Sequence, residues 1–69
     1  MNYLVLAKQH AGSSEQVVYR TANGENASAF AESHFINRSP QSVRAVLEMA
    51  DRVTTLKDRN GRPYVWSRF

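Results

Sequence analysis

The sequence contains no cysteine, and it has no long apolar run. The missing cysteine excludes disulfides and thiolate metal sites, and so gives no support to an oxidising compartment. No apolar segment approaches the roughly 18 residues that span a bilayer, and the first residues lack the basic leader of a signal peptide. We therefore expect a soluble, cytoplasmic protein.

Motifs for catalysis are also missing. There is no glycine-rich phosphate loop, no pair of carboxylates in an apolar setting, and no Ser/His/Asp set that so small a chain could shield from water. His10 and His34 stand far apart, with no acidic residue at ligand spacing. We expect no catalytic residue, no metal site and no cofactor, and we expect His34 to be half-buried beside Phe35.

A chain of 69 residues is expected to form one domain, 1–69, near the size at which a hydrophobic core alone can hold a fold. Its 42% of apolar residues and 22% of charged residues are typical of a globular chain. Because the core will be thin, pairing with a second copy would add buried surface. A homodimer is therefore one expectation.

Positive charge is concentrated in the second half of the chain. Residues 1–35 carry two basic and three acidic side chains, whereas residues 36–69 carry seven basic and three acidic ones. This distribution favours an anionic partner such as a phosphate backbone. A merely solvated basic surface is the alternative.

The first third of the chain predicts at least one strand. Residues 2–11 are apolar-rich and fit either a helix that ends at Gly12 or a strand, and periodicity does not decide between them. Residues 16–21 include Val17-Val18-Tyr19, a β-branched and aromatic run that predicts a strand. Residues 2–8 and 16–21 could therefore form a hairpin. The Asn23-Gly24 pair is expected to break the chain.

Two helices are predicted in the middle of the chain. The first spans about 26–35, with Asn26 as its cap and an apolar face of Ala27, Phe30, Ala31, His34 and Phe35. The second spans 40–52, because serine caps helix starts and proline is favoured at the first helical position, as in Ser39-Pro40. Its apolar face consists of Val43, Val46, Leu47, Ala50 and Val53.

A β-hairpin is predicted after the second helix. Residues 54–57 and 64–66 are strand-like, and Asn60-Gly61 is the dipeptide that most readily forms a two-residue hairpin turn. This register places Leu56 opposite Val65 and Lys57 opposite Tyr64. The tip then carries Arg59 and Arg62.

The order helix, turn, helix and hairpin over residues 26–68 resembles a winged helix-turn-helix domain. The matching segments are Phe30-Ala31-Glu32 in the first helix, residues 38–44 opening the second, and residues 56–66 as the wing. The resemblance is one of pattern, with a turn about two residues longer than usual and no glycine closing the second helix. It implies an α+β fold: a small winged helix-turn-helix domain with a C-terminal β-hairpin wing, preceded by an N-terminal helix or strand and a short strand.

The resemblance also implies a small regulatory protein that binds double-stranded DNA, as a dimer on a two-fold site. The second helix would read the major groove, with Gln41 suited to adenine and Arg44 suited to guanine or a phosphate. The nucleic-acid-binding residues would be Arg38, Ser39, Gln41, Ser42, Arg44, Ala45, Lys57, Arg59 and Arg62.

Two other functions fit the sequence. One is an inhibitor or adaptor of the kind common in phages and mobile elements, which binds a host protein in a complex that persists in high salt. The other is RNA binding through Tyr64 and Trp66, although packing in the core is the commoner use of a small domain's only tryptophan.

Overall fold

The computed structural model describes residues 2–68, which form five strands and one helix. The elements are β1 (Asn2–Lys8), β2 (Gln16–Thr21), α1 (Gly24–Arg38), β3 (Ser42–Glu48), β4 (Val53–Thr55) and β5 (Val65–Ser67). All paired strands are antiparallel, in the order β2-β1-β3-β4. Strand β5 pairs with the first half of β3, and β4 pairs with the second half.

The fold is α+β, but the predicted winged helix-turn-helix arrangement is wrong. Residues 2–68 contain a single helix, and the second helix predicted at 40–52 is strand β3 with the turn that follows it. Without that helix there is no helix-turn-helix unit, and the hairpin that follows is not a wing beside a recognition helix.

Strand β3 was mistaken for a helix because both of its faces are buried. Val43 and Ala45 belong to the core cluster beside α1, whereas Val46 points to the opposite face, and all three are at most 1% exposed. A central strand that is apolar on both faces shows apolar residues at three- and four-residue spacing as well as at two. Its valines favour the extended chain, and β1 pairs with its whole length.

The Ser39-Pro40 pair ends the first helix instead of opening a second one. Ser39 is the C-cap of α1 in the left-handed conformation, with φ 50° and ψ 45°. Proline disfavours helical geometry in the residue before it and cannot itself continue a helix, so it is common just after a helix C-terminus. The buried Pro40 is such a stop signal.

Helix α1 is longer at both ends than the predicted 26–35. Its N-cap is Asn23 and not Asn26: the Asn23 Oδ1 accepts hydrogen bonds from the amides of Glu25 at 2.9 Å and Asn26 at 3.1 Å. A Cβ at Gly24 would lie 3.1 Å from the Tyr3 ring, so glycine allows the helix to start against β1. The Asn23-Gly24 pair therefore initiates the helix.

Residues 2–8 are a strand, which decides between the two alternatives for this segment, and they form a hairpin with residues 16–21. The pairing shifts by one residue, since Val5 lies opposite Tyr19 while Leu6 lies opposite Val17. Val18 is the extra residue of this β-bulge. As a result both Val18 and Tyr19 pack towards the core cluster.

The core lies between the sheet and α1. Its buried residues are Val5, Ala7, Ala27, Ala31, Val43 and Ala45. The helix contributes only alanines to this set, and small side chains allow its backbone to approach the sheet closely. The opposite face of the sheet, which we call the open face, carries Leu4, Leu6, Lys8, Val17, Arg20, Ser42, Arg44, Val46, Glu48, Val53 and Val65.

Helix α1 is neither long nor apolar enough to cross a membrane, and it is the only helix between residues 2 and 68.

The N-cap assignment predicts different effects for two neighbouring asparagines. Replacing Asn23→Ala removes the acceptor of two helix amides and should lower the free energy of unfolding by about 1 kcal/mol. Asn26→Ala, in the exposed first turn, should change it by less than about 0.5 kcal/mol. Urea denaturation of both variants measures the difference, and equal losses would contradict the assignment.

Candidate binding surfaces

The residues predicted to read DNA bases do not form one exposed surface. Ala45 is fully buried against the helix. The Arg44 guanidinium forms two hydrogen bonds to the Glu15 carboxylate, at 2.8 and 2.9 Å. Ser42 lies on the open face of the sheet, opposite Lys8. These residues therefore do not share the outward side of a helix, because they lie in β3 or beside it and alternate residues of a strand point to opposite faces.

The other residues of that set lie around the C-terminus of α1. The Gln41 side chain donates a hydrogen bond to the Arg68 carbonyl at 2.7 Å, which ties β3 to the end of the chain. Arg38 is exposed in the last turn of α1, and Ser39 is its exposed cap. Arg38 and Ser39 thus belong to the end of the helix, and not to the hairpin that carries Lys57, Arg59 and Arg62.

The hairpin of residues 56–64 exists, but its register differs from the predicted one. Lys57 pairs with Pro63 instead of Tyr64, and the loop has three residues, Arg59-Asn60-Gly61, closed by a bond from the Asp58 amide to the Arg62 carbonyl. The Asp58 carboxylate accepts from the amides of Asn60 and Arg62 at 2.8 and 2.9 Å. This carboxylate and the φ of +82° at Gly61 favour the longer loop.

The hairpin presents three exposed cations, Lys57, Arg59 and Arg62. Within residues 2–68 the ion pairs are Arg20 with Glu48 and Arg44 with Glu15, so none of the three hairpin cations takes part in one. The prediction of a cationic hairpin tip is confirmed. Tyr64 and Trp66 stack on each other, with ring centroids 6.0 Å apart, and both pack against the core cluster.

A groove of about 360 Å³ runs between β2 and α1. It is lined by Val18, Phe30, Ser33, His34, Asn37 and Arg38. Phe30 stacks between two rings, with its centroid 4.2 Å from that of Tyr19 and 5.6 Å from that of His34. The groove therefore has a rigid aromatic wall, and the bulge that turns Val18 to this side completes it.

One end of this groove is polar. His34 is half-buried, as predicted, and its Nε2 is buried without a hydrogen-bond partner among residues 2–68. Asn37 donates to the Ser33 hydroxyl at 3.1 Å. Arg38 belongs to no ion pair within the described range. The groove thus combines an apolar floor with one cation and several hydrogen-bonding groups.

Strand β2 lies at the margin of the sheet beside the groove. Its inner side pairs with β1, and no strand within residues 2–68 pairs with its outer side. The outward N–H and C=O groups of an edge strand are free to pair with another extended chain. The edge and the groove together form one continuous surface, which we call the β2 groove.

A second depression, of about 510 Å³, lies at the N-terminus of α1. It is lined by Tyr3, Asn23, Gly24, Glu25, Ser28, Leu56, Lys57 and Tyr64. The Asn23 side chain already accepts from the amides of Glu25 and Asn26, and the Glu25 carboxylate offsets the charge of Lys57. This depression is therefore a poor anion site.

The open face is covered by ion pairs instead of a second layer. Leu4 and Val46 are 4% and 0% exposed although α1, the one helix within residues 2–68, lies on the other face of the sheet. Arg20 reaches Glu48 at 3.0 Å, and Arg44 reaches Glu15 at 2.8 Å. Both pairs connect the β2 side of the sheet to β3, across β1. Their long side chains cover the apolar centre of the face.

Comparison with known protein families, curated proteins and solved structures finds no significant match. Across residues 2–68, no group of three His, Asp or Glu side chains could hold a metal ion.

Sequence reasoning did not find the β2 groove, because its wall is formed where two different elements, β2 and α1, pack against each other. Tyr19 and Phe30 were each assigned to their own element, and nothing in their spacing indicates that they stack. The signal that could have suggested the groove is the strand 16–21 itself, a short apolar segment whose only predicted neighbour was residues 2–8. A strand with one partner is an edge.

The hairpin geometry predicts opposite responses for two exposed glycines. Gly61→Ala forces a side chain into positive φ and should cost about 1 kcal/mol, although a Cβ there meets no atom within 4 Å. At Gly12 a Cβ approaches only the His10 ring, at 4.0 Å, so Gly12→Ala should leave stability unchanged or raise it slightly. Thermal unfolding compares the two, and an equal stability of both variants would contradict the turn.

Proposed function

We propose that this protein is a non-enzymatic binding module that takes up an extended segment of a partner protein in the β2 groove. The observation that carries the proposal is an edge strand with a free outer side that lies directly beside a groove with an aromatic wall. This is the arrangement in which strand addition recognises peptides: the backbone supplies affinity and adjacent pockets supply specificity.

The side chains that line the groove indicate which kind of peptide segment would bind there. An apolar side chain would lie against Val18 and Phe30. An acidic side chain or a C-terminal carboxylate would reach Arg38, which is exposed and forms no ion pair within residues 2–68. The partner segment is therefore extended, apolar at one position and anionic at the next position that faces the groove.

The alternative of a DNA-reading helix loses its support in this fold. The side chains that would have read bases lie in β3 and beside it, where one is buried and two are held by hydrogen bonds. The sequence also fits an inhibitor or adaptor that binds a host protein. The exposed β2 groove supports this function.

Selection from a random linear-peptide library against the full chain tests the proposal. We expect enrichment of peptides that combine an apolar residue with a nearby acidic residue. An enriched peptide should bind Arg38→Ala about tenfold more weakly, since a charge-assisted hydrogen bond is lost. The matched control is Arg52→Ala, because Arg52 is also exposed but lies in the turn between β3 and β4; its affinity should not change.

The location of binding provides a second readout. Backbone amide chemical shifts should change along Gln16–Thr21 and on the neighbouring turns of α1 when the enriched peptide is added. Shifts confined to the hairpin or to the open face, or a library that yields no enriched peptide, would overturn the proposal.

A second candidate function is binding to a nucleic-acid backbone through the hairpin. The observation that favours it is the grouping of Lys57, Arg59 and Arg62 on a tip that Asp58 holds rigid. Such a tip would contact phosphates and supply affinity without base reading.

Retention of a random duplex DNA pool at several salt concentrations tests this candidate. Replacing Lys57, Arg59 and Arg62 together by alanine should abolish retention and remove most of its salt dependence. The slope of the logarithm of the binding constant against the logarithm of the salt concentration should become shallower by about 0.9 for each lost phosphate contact. The control with the same change in charge replaces Lys8, Arg38 and Arg52 by alanine. Equal losses in the two variants would show that only net charge matters. A protein partner at β2 would instead persist in high salt.

A further inference from the structure

The four charges of the two ion pairs form an alternating pattern on the open face. On the β2 side, Glu15 lies at the end of the sheet near Lys8, and Arg20 lies opposite Leu4, nearer the end at Asn2. On β3 the order of sign is reversed, with Arg44 opposite Leu6 and Glu48 opposite Asn2. Each charge therefore has the opposite sign to its neighbour along the strands and to its neighbour across them.

Such a pattern is complementary to itself. When two copies face each other about a two-fold axis that runs across the strands, Glu15 meets the second copy's Arg20, and Arg44 meets its Glu48. An axis parallel to the strands would also pair these four charges, but it would place Lys8, which lies on the same face opposite Ser42, against the second copy's Lys8. An isologous two-fold interface requires a self-complementary surface of this kind. Since a carboxylate can accept from two guanidinium groups, the ion pairs within each chain need not break.

The apolar surface around these charges suits the same contact. Val17, Val53 and Val65 are 50%, 48% and 46% exposed, and all three lie on the open face around the buried Leu4 and Val46. The Cα extents are 29 × 25 × 18 Å, and a two-layer molecule is thinnest across its layers. The open face therefore offers at most roughly 700 Å², close to the area that each partner buries in a standard interface.

We propose that two copies of this chain associate through their open faces, with the four charges alternating across a two-fold interface. This contact leaves the β2 groove accessible, because the groove lies on the helix side of the sheet. The dimer is independent of the proposed peptide binding, and the failure of one does not affect the other.

A charge-inverted variant tests the interface. Exchanging the sign of all four charges, with Glu15→Arg, Arg20→Glu, Arg44→Glu and Glu48→Arg, keeps both ion pairs within the chain and keeps the face complementary to itself. It is no longer complementary to the wild-type face. Sedimentation velocity at up to about 1 mM should show dimers of each protein alone. When one of the two proteins is isotope-labelled and both are mixed, native mass spectrometry should find at least tenfold fewer mixed dimers than random pairing predicts, because like charges then face each other.

Free mixing of the two proteins, or a wild-type chain that stays monomeric over this range, would overturn the proposal. A pair of single substitutions gives a second readout if the inverted variant does not fold. Val65→Asp, on the open face, should weaken dimerisation by at least tenfold. Ile36→Asp, on the outer side of α1 where the side chain is 66% exposed, should leave it unchanged, and an equal effect of both would exclude the open face.

Discussion

A sheet has two faces, and one helix can cover only one of them. In this chain α1 covers the face that carries Val5, Ala7, Val43 and Ala45, so the sheet must protect its other face with its own side chains. Two ion pairs cross β1 on this face, on either side of Leu4 and Val46. Exposed ion pairs contribute little stability on their own. The methylene groups of such long side chains also cover apolar surface.

This constraint explains why the fold class, α+β, could be predicted from the sequence, whereas the arrangement of the helix and the strands could not. Segments whose residue pattern fits only one kind of element were predicted well. Residues 16–21 form a strand, and the apolar spacing of Ala27, Phe30 and Ala31 correctly indicates a helix. Strand β3 was not predicted, because a central strand buried on both faces loses the two-residue alternation that identifies a half-buried strand. Local signals then decided the assignment, and Ser39-Pro40 suits the end of one helix as well as the start of another.

The candidate sites show the same limit. The cationic tip of the hairpin could be predicted, because Asn-Gly is a local turn signal and the cations flank it. The β2 groove and the charge pattern of the open face could not. Tyr19 meets Phe30 only because α1 packs on this end of the sheet, and Glu15 meets Arg44 only because of the register of β2, β1 and β3. The pairing of β3 with β1 sets that register, and β3 is the element that sequence reasoning assigned wrongly.

The hairpin of residues 56–64 is attached to the sheet at one point. The Ala45 amide donates to the Tyr64 carbonyl at 3.0 Å, and the Ala45 carbonyl accepts from the Leu56 amide at 2.9 Å. Both ends of the hairpin are thus hydrogen-bonded to one residue of β3, while β4 and β5 pair with the residues on either side of that residue. The length of the segment between these anchors is therefore only weakly coupled to the folding of the sheet. Residues can be gained or lost there at little cost to the core, and such changes would alter what the hairpin recognises.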